Sequence, residues 1–115
     1  MKIENTGLEG VEIEFQAIED IMEGAGFHYV YDYERVTFDY KIVIQGDIYY
    51  LRVQAHAVEG EVPSPHGIVK ITNVLLGKHY YPHGVEYDEE FSKQITDKCN
   101  KKLESVKDSI LSEAK

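Results

Sequence analysis

Two histidines and a carboxylate lie close together near residue 80 of this chain. In the string HYYPHGVE, which starts at His79, His83 follows four positions later and Glu86 three positions after that. Imidazole nitrogens and carboxylate oxygens are ligands of Zn²⁺ and Fe²⁺, and a three-ligand site leaves one position open for a reacting water. Such spacing usually takes its geometry from a helix, which Pro82 and Gly84 prevent here. The string predicts a structured loop or, as the alternative, the metal site of a hydrolase.

A pocket for a ligand is a further interpretation of the same region. Residues 59–67 (EGEVPSPHG) form a loop-rich stretch, and residues 77–87 are rich in aromatic, imidazole, proline and glycine residues. Ligand pockets are commonly lined by a few convergent polar and aromatic side chains. We therefore expect both segments to line one pocket at an end of the domain, with ligand-binding side chains from His66, His79, Tyr81, His83 and Glu86.

His56 is the remaining candidate, because it falls on a predicted polar strand face near Thr37 and Asp39. An imidazole beside a carboxylate suits a general base. No Gly-x-Ser-x-Gly motif is present, and Cys99 falls on an apolar helix stripe, so no nucleophile accompanies the histidine. We predict no catalytic residue, no cofactor and no resident metal ion. His56 is either a ligand-binding residue or a hydrogen-bonded surface histidine.

The composition describes one acidic domain spanning residues 1–115, with a mass of 13.2 kDa. Hydrophobic residues make up 43% and charged residues 29%, which excludes a disordered chain, collagen and a membrane protein. The 21 acidic residues outnumber the 12 basic ones, for a net charge of −9. Because such a surface repels phosphate backbones and anionic headgroups, we predict neither a nucleic-acid partner nor a membrane partner.

The single cysteine and the opening residues bear on the compartment. One cysteine permits no intrachain disulfide, and the string MKIENTGLEG lacks the apolar run of a signal peptide. No apolar run approaches the ~18 residues of a membrane-spanning helix. We therefore expect a reducing, cytoplasmic location.

Apolar spacing in the first third of the chain predicts a strand, a helix and a second strand. Residues 11–15 alternate as a strand does, and residues 18–25 carry apolar side chains at helical spacing up to Gly24 and Gly26. Aromatic residues alternate on odd positions over 27–33, whereas the apolar residues of the next segment lie on even positions. An alternating pattern moves from odd to even positions only where an extra residue interrupts it, so we expect a turn or bulge at Glu34–Arg35.

Residues 36–57 predict a β-hairpin with a two-residue turn at Gly46-Asp47. This turn pairs Ile44 with Tyr49, and it sets Lys41 opposite Arg52. One face of the hairpin is then largely polar and the other is wholly apolar, so turn chemistry and pattern agree. The apolar face carries Val36, Phe38, Tyr40, Ile42, Ile44, Tyr49, Leu51, Val53, Ala55 and Ala57.

The last third predicts a strand, a loop and a long helix. Residues 67–76 form the strand and residues 77–87 the loop, and Asp88 is the predicted N-cap. Apolar residues at steps of three and four then form one stripe on a helix of about 25 residues. The stripe consists of Phe91, Ile95, Cys99, Leu103, Val106 and Ile110. An antiparallel sheet with one apolar face needs a cover, so the fold class is α+β, a two-layer sandwich covered by a short and a long helix.

Four strings extend this reasoning to a family. The opening MKIENTG, DYERVTFDYKI at 32–42, YYLRVQAHAVEGEVPSPH at 49–66 and GKHYYPHGVEYDEEF at 77–91 together cover most of the chain. They resemble the YugN-like family of small bacterial proteins. The resemblance implies a β-α-β(n)-α sandwich of the TBP-like class, and it implies no assigned activity. It therefore transfers no catalytic or binding residue to this chain.

We predict a non-enzymatic domain that binds a small molecule or a protein partner. Two alternatives come from other classes of function. The first is a metal-dependent hydrolase that uses His79, His83 and Glu86. The second is a structural homo-oligomer, such as a homodimer, joined through exposed edge strands or the polar hairpin face.

Overall fold

A computed structural model of the chain describes residues 1–32, 34–62, 64–80 and 82–115. Its elements are six strands and two helices. In chain order they are β1 (Glu12–Glu14), α1 (Phe15–Gly24), β2 (His28–Tyr31), β3 (Arg35–Ile44), β4 (Asp47–Glu59), β5 (Ile68–His79), β6 (Val85–Glu86) and α2 (Lys93–Glu113).

The six strands form one antiparallel sheet in the order β1-β5-β4-β3-β2, and β6 pairs with the end of β5. Both helices pack on the same face of this sheet, so the predicted α+β sandwich is confirmed. The opposite sheet face, which we call the open face, carries no helix of the described chain. The TBP-like class stays a prediction.

The core lies between the helices and the apolar hairpin face. Phe38 and Leu51 are both 0% exposed, as the alternating pattern predicts. The helix stripe is confirmed from its second member onward, since the buried residues of α2 are Ile95, Cys99, Leu103, Val106 and Ile110. No helix in the described parts of the chain is long and apolar enough to cross a membrane.

The β3–β4 hairpin keeps the predicted faces, but its predicted turn and register are wrong. The turn residues are Gln45 and Gly46, with φ of 52° and 84°, which is the left-handed geometry of a type I′ turn. Leu51 therefore lies opposite Tyr40, two residues from the predicted partner. A shift of two residues is a whole period of the alternation, so every side chain stays on its face.

The observed register replaces a repulsive pair with an attractive one. Lys41 lies opposite Tyr50, and Asp39 lies directly opposite Arg52. The Arg52 Nε donates to Asp39 Oδ1 at 2.7 Å, and Nη2 donates to Oδ2 at 2.9 Å. The predicted apposition of Lys41 and Arg52 does not occur, and the bidentate ion pair favours the register with the Gln45-Gly46 turn.

The start of α2 is also corrected. Ser92, rather than Asp88, is the N-cap, and its side chain accepts from the backbone N–H of Ile95. Phe91 consequently lies outside the helix, where its ring packs edge-on against Tyr49 at 6.2 Å. Residues 77–87, predicted as a loop, instead include the end of β5 and all of β6.

The two edges of the sheet differ in how far they are covered. The outer edge of β5 pairs in turn with β1, with residues 10–11, with Lys2 and with β6. At the opposite edge, the pairing of β2 within the described parts of the chain is with residues 36–39 of β3 alone. The remaining part of β3, residues 40–44, extends past the end of β2. The turn between these strands overlaps the predicted position at Glu34–Arg35. Asp32 and Arg35 exchange two backbone hydrogen bonds, so Glu34 lies in the turn and Arg35 begins β3.

Candidate functional site

The structure separates the two segments that were predicted to line one pocket. Residues 59–67 come directly before β5 in the chain, and residues 77–87 start with the last three residues of β5. The 12 residues of β5 span about 36 Å at ~3.3 Å per residue. His66 and His79 therefore lie at opposite ends of the sheet, and the predicted common pocket is wrong. Their separate roles as ligand-binding residues stay predictions.

His79, His83 and Glu86 do not converge on one point. His79 pairs with Val85 and Lys78 pairs with Glu86, so His79 and Glu86 project from opposite faces of the sheet. His79 packs edge-on against Tyr50 at 6.1 Å on the open face, and His83 is exposed. No group of three His, Cys, Asp or Glu side chains in the described residues is arranged to hold a metal ion. Tyr81 lies outside the described residues.

His66 and His56 each have a different environment from the predicted one. The exposed His66 has its Nδ1 at 3.6 Å from a carboxylate oxygen of Glu14. His56 lies on the open face opposite Arg35. Asp39 lies four residues beyond Arg35 in β3, where it forms an ion pair with Arg52. The predicted general-base pair is therefore absent. His56 instead lines a shallow cavity of 360 Å³ with Arg35, Gln54, Thr72 and Asn73.

Cys99 is a core residue, as predicted. Its side chain is 0% exposed, and burial raises the pKa of the thiol to about 11. Because the thiolate is the reactive form, Cys99 is inert at neutral pH in the folded protein.

The centre of the open face is a hydrogen-bonded group that ties β6 to the sheet. Arg52 contacts Asp39 with two nitrogens and donates to the Tyr87 hydroxyl with its third. Hydrogen bonding of the Arg52 guanidinium to the Asp39 carboxylate is the largest cause of an upward shift in the pKa of Arg52. The Tyr87 ring reaches Arg52 by crossing Gly77, where the absence of a side chain leaves room for it. The three groups are thus fixed by one another.

A groove of 430 Å³ opens at the other edge of the sheet, and it is larger than the cavity at His56. Residues 40–43 of β3 form one wall. Lys98, Lys101, Lys102 and Ser105 of α2 form the other. We call this site the lysine groove.

The local folding of each wall explains why these residues meet. Positions 98, 101, 102 and 105 are spaced by three, one and three, so they share one face of α2. The apolar stripe of the helix, which includes Cys99 and Val106, is buried against the sheet and fixes the direction of that face. The helix therefore directs its lysines along the uncovered part of β3.

The charge of the lysine groove is opposite to that of the chain. None of the acidic residues that the structure describes lines it, although the chain has a net charge of −9. Lys41, Lys98, Lys101 and Lys102 form no salt bridge within the described residues. Like-charged ammonium groups on a common groove repel each other, and an anion between them relieves that repulsion.

Lys102 and Tyr40 shape the floor of the lysine groove. The Lys102 Nζ donates to the backbone oxygen of Ala25 at 3.0 Å and lies 4.3 Å from the centre of the Tyr40 ring. These contacts hold α2 against the end of α1 and fix one ammonium group above an aromatic surface. The other three lysines are exposed.

Sequence reasoning missed the lysine groove. The available signal was the triplet of lysines at positions 98, 101 and 102, which share one helix face. The edge of β3 is open to these lysines because β2 stops short of residues 40–43, and the sequence pattern does not mark that boundary of β2.

The fold and its two uncovered features define a class of protein: a small α+β sandwich with an open sheet face and a partly unpaired edge strand. The profile of the YugN-like family matches residues 3–109, and the chain belongs to this family. It is 42% identical over 110 residues to the uncharacterized protein YlbA of Bacillus subtilis (strain 168), covering 92% of each chain.

A solved structure gives the same architecture. The crystal structure of the uncharacterized conserved protein YugN from Geobacillus kaustophilus HTA426 is 43% identical to this chain. The match has a TM-score of 0.85 and covers 97% of this chain and 96% of that one. The predicted family resemblance and the sandwich fold are therefore confirmed.

Proposed function

We propose that this protein is a non-enzymatic, cytoplasmic binding domain that holds an anionic partner in the lysine groove. The observation that carries the proposal is the cluster of four lysines around one groove on a chain of net charge −9. Among the described residues, the charged groups that line the groove are all lysines, with no carboxylate or imidazole in its lining to exchange a proton. This composition suits binding better than acid–base catalysis.

The walls of the lysine groove indicate what kind of anion it suits. Tyr40 and Ile42 supply apolar surface between the ammonium groups. Binding sites of this kind combine an apolar floor with a few charged groups that orient the partner. A partner with acidic groups along an apolar body fits better than a small, strongly hydrated ion. The surrounding acidic surface disfavours a long polyanion such as nucleic acid.

Charge reversal in the lysine groove tests the proposal. We expect the double variant Lys98→Glu, Lys101→Glu to bind a fluorescein-labelled octapeptide of glutamate and leucine at least about tenfold more weakly than the native chain, a loss of ~1.4 kcal/mol. The measurement is fluorescence anisotropy at low ionic strength, repeated at rising salt, because ion pairs at an exposed site are screened.

A matched control separates the lysine groove from net charge. The variant Lys2→Glu, Lys93→Glu makes the same change in total charge at two exposed positions outside the groove. It should retain most of the affinity. Equal weakening by both double variants, or no binding of the glutamate–leucine octapeptide by the native chain, would contradict the proposed function.

A homodimer joined through β2 is the second candidate, and a specific observation favours it. Val30 and Tyr31 on this edge strand are 74% and 46% exposed. The strand, HYVY, contains none of the lysines or prolines that commonly protect an edge. Two copies could pair their β2 strands about a two-fold axis and continue the sheet.

Sedimentation velocity of the native chain and of Val30→Lys tests this candidate. We expect a dimer at high micromolar concentration that dissociates at least tenfold more readily in the variant, because a charge on the edge strand opposes pairing. Val58→Lys is the control, since Val58 is 44% exposed on an interior strand. A native chain that stays monomeric at these concentrations eliminates the homodimer.

A further inference from the structure

We propose that the partner in the lysine groove is an extended acidic segment of another protein, which adds to the sheet as a strand beside residues 41–43 of β3. This inference rests on the proposed function and makes its partner specific. Strand addition to an uncovered sheet edge is a general mode of peptide recognition. Four features of this edge support it.

The lysine groove exposes the edge of β3 rather than one of its faces. Residues 40, 41, 42 and 43 all line it. Side chains alternate between the two faces of a strand, so a cavity over one face would be lined by every second residue. Contact with four consecutive residues means that the groove runs along the backbone itself.

The direction of the backbone groups follows from the two hairpins. Arg35 exchanges hydrogen bonds with Asp32 on the β2 side, whereas the carbonyl of Glu34 accepts from Ala57 on the β4 side. These directions alternate along an antiparallel strand. The N–H and C=O groups of Lys41 and Val43 therefore point toward the lysine groove, where no strand of the described chain lies beside them.

The space beside residues 40–44 of β3 lies in line with β2, where a longer β2 would continue. The antiparallel pairing of β2 begins at His28, opposite Asp39, and the preceding chain turns away into the end of α1. Lys102 holds Ala25 at that point. An incoming strand would lie in line with β2, and the uncovered length accommodates about five residues at ~3.3 Å each.

The lysines surround this position from both sides. Lys41 projects on the open face, because it shares its parity with Asp39, and Lys98 and Lys101 lie on the helix side. A strand placed between them has side chains pointing alternately to each group. Acidic residues on both faces of the strand therefore find ammonium groups, and its backbone satisfies the edge of β3.

Three peptides test the inference against simple charge attraction. The first peptide is a capped decamer of glutamate and valine. The second replaces every glutamate of that decamer by lysine. The third has the sequence of the first peptide, with N-methyl groups on the backbone nitrogens of all central residues. The third retains the charges but can donate no ladder hydrogen bond. We expect the first to bind the native protein, the second not to bind, and the third to bind at least tenfold more weakly.

A variant of the protein provides the reciprocal test. Val43→Pro removes an outward N–H and leaves the β4 side of the ladder unchanged, as proline does at an edge strand. It should lose at least tenfold in affinity for the glutamate–valine decamer, while Val43→Ala, which removes side-chain contacts alone, loses much less. If Val43→Pro does not fold, protection of the Lys41 and Val43 amides from hydrogen exchange in the native complex replaces it.

The outcomes separate this inference from the proposed function. If the N-methylated peptide binds as tightly as the first peptide, or if those amides are not protected, strand addition is overturned and the proposed binding of an anionic partner is retained. Stronger binding of a ten-nucleotide oligothymidylate or of inorganic pyrophosphate than of the decamer overturns the acidic segment as partner. Failure of all of these anions to bind overturns the proposed function as well.

Discussion

Replacing Phe38 by alanine lowers the free energy of unfolding by about 3–5 kcal/mol, the usual cost of removing a fully buried phenylalanine ring. Phe38 is 0% exposed, and its ring packs against Tyr29 with centroids 5.9 Å apart. Removal of the ring forfeits its burial and leaves a cavity between the sheet and the helices. For a domain whose stability is of order 5–15 kcal/mol, this is a large fraction.

Urea denaturation followed by circular dichroism measures this change, and the same strand contains its control. Val43→Ala shortens a side chain that is 58% exposed on the opposite face of β3. It should change the free energy of unfolding by no more than about 0.5 kcal/mol. Similar losses in both variants would mean that the helices do not cover the Phe38 face.

The faces of the β3–β4 hairpin were predictable, whereas its register was not. Alternation determines only whether a side chain lies on the odd or the even face, so registers two residues apart bury the same residues. The choice between them depends on the turn. A glycine-first turn at Gly46-Asp47 suits the sequence, but the type I′ turn at Gln45-Gly46 brings Asp39 opposite Arg52. A long-range ion pair of this kind has no local signature.

The helices show the same division between pattern and boundary. The apolar stripe of α2 was predictable, because burial of one helix face imposes its period on the sequence. The N-cap was not, since Asp88 and Ser92 are both good caps and both precede Ile95, the first buried residue of the helix. Packing decides between them: Phe91 contacts Tyr49 from outside the helix.

The candidate site was predicted in the wrong place for a geometric reason. Residues 59–67 and 77–87 have similar compositions, and they are joined by a single strand that holds them apart. Shared composition therefore carried no information on distance. The lysine groove, in contrast, combines a helix face with a strand edge that is exposed only because β2 is short. Only the assembled sheet shows that the two meet.

Replacing Gly77 by alanine should lower the free energy of unfolding by about 1–3 kcal/mol, through overpacking where the side chains of Val85 and Tyr87 cover Gly77 on the open face. A Cβ at this position would lie 2.2 Å from Val85 Cγ1 and 3.0 Å from Tyr87 Cε1. Alanine in a strand is otherwise favoured over glycine by roughly 0.5–1 kcal/mol, so a net loss reports the clash. Either the sheet distorts, or β6 and Tyr87 move away and Arg52 loses a hydrogen-bond partner.

Gly84→Ala is the matched control, because a Cβ at Gly84 meets nothing within 4 Å. The two variants add the same methyl group to the same hairpin, and only the first places it beneath Val85 and Tyr87. Urea denaturation gives the loss of stability. Faster hydrogen exchange of the Lys78 and Tyr80 amides reports the release of β6, because Lys78 pairs with Glu86 and the Tyr80 N–H donates to the Gly84 carbonyl. Unchanged stability and exchange in Gly77→Ala would show that the side chains of Val85 and Tyr87 do not lie over Gly77, and the hydrogen bond between Tyr87 and Arg52 would then have no support from the sheet beneath it.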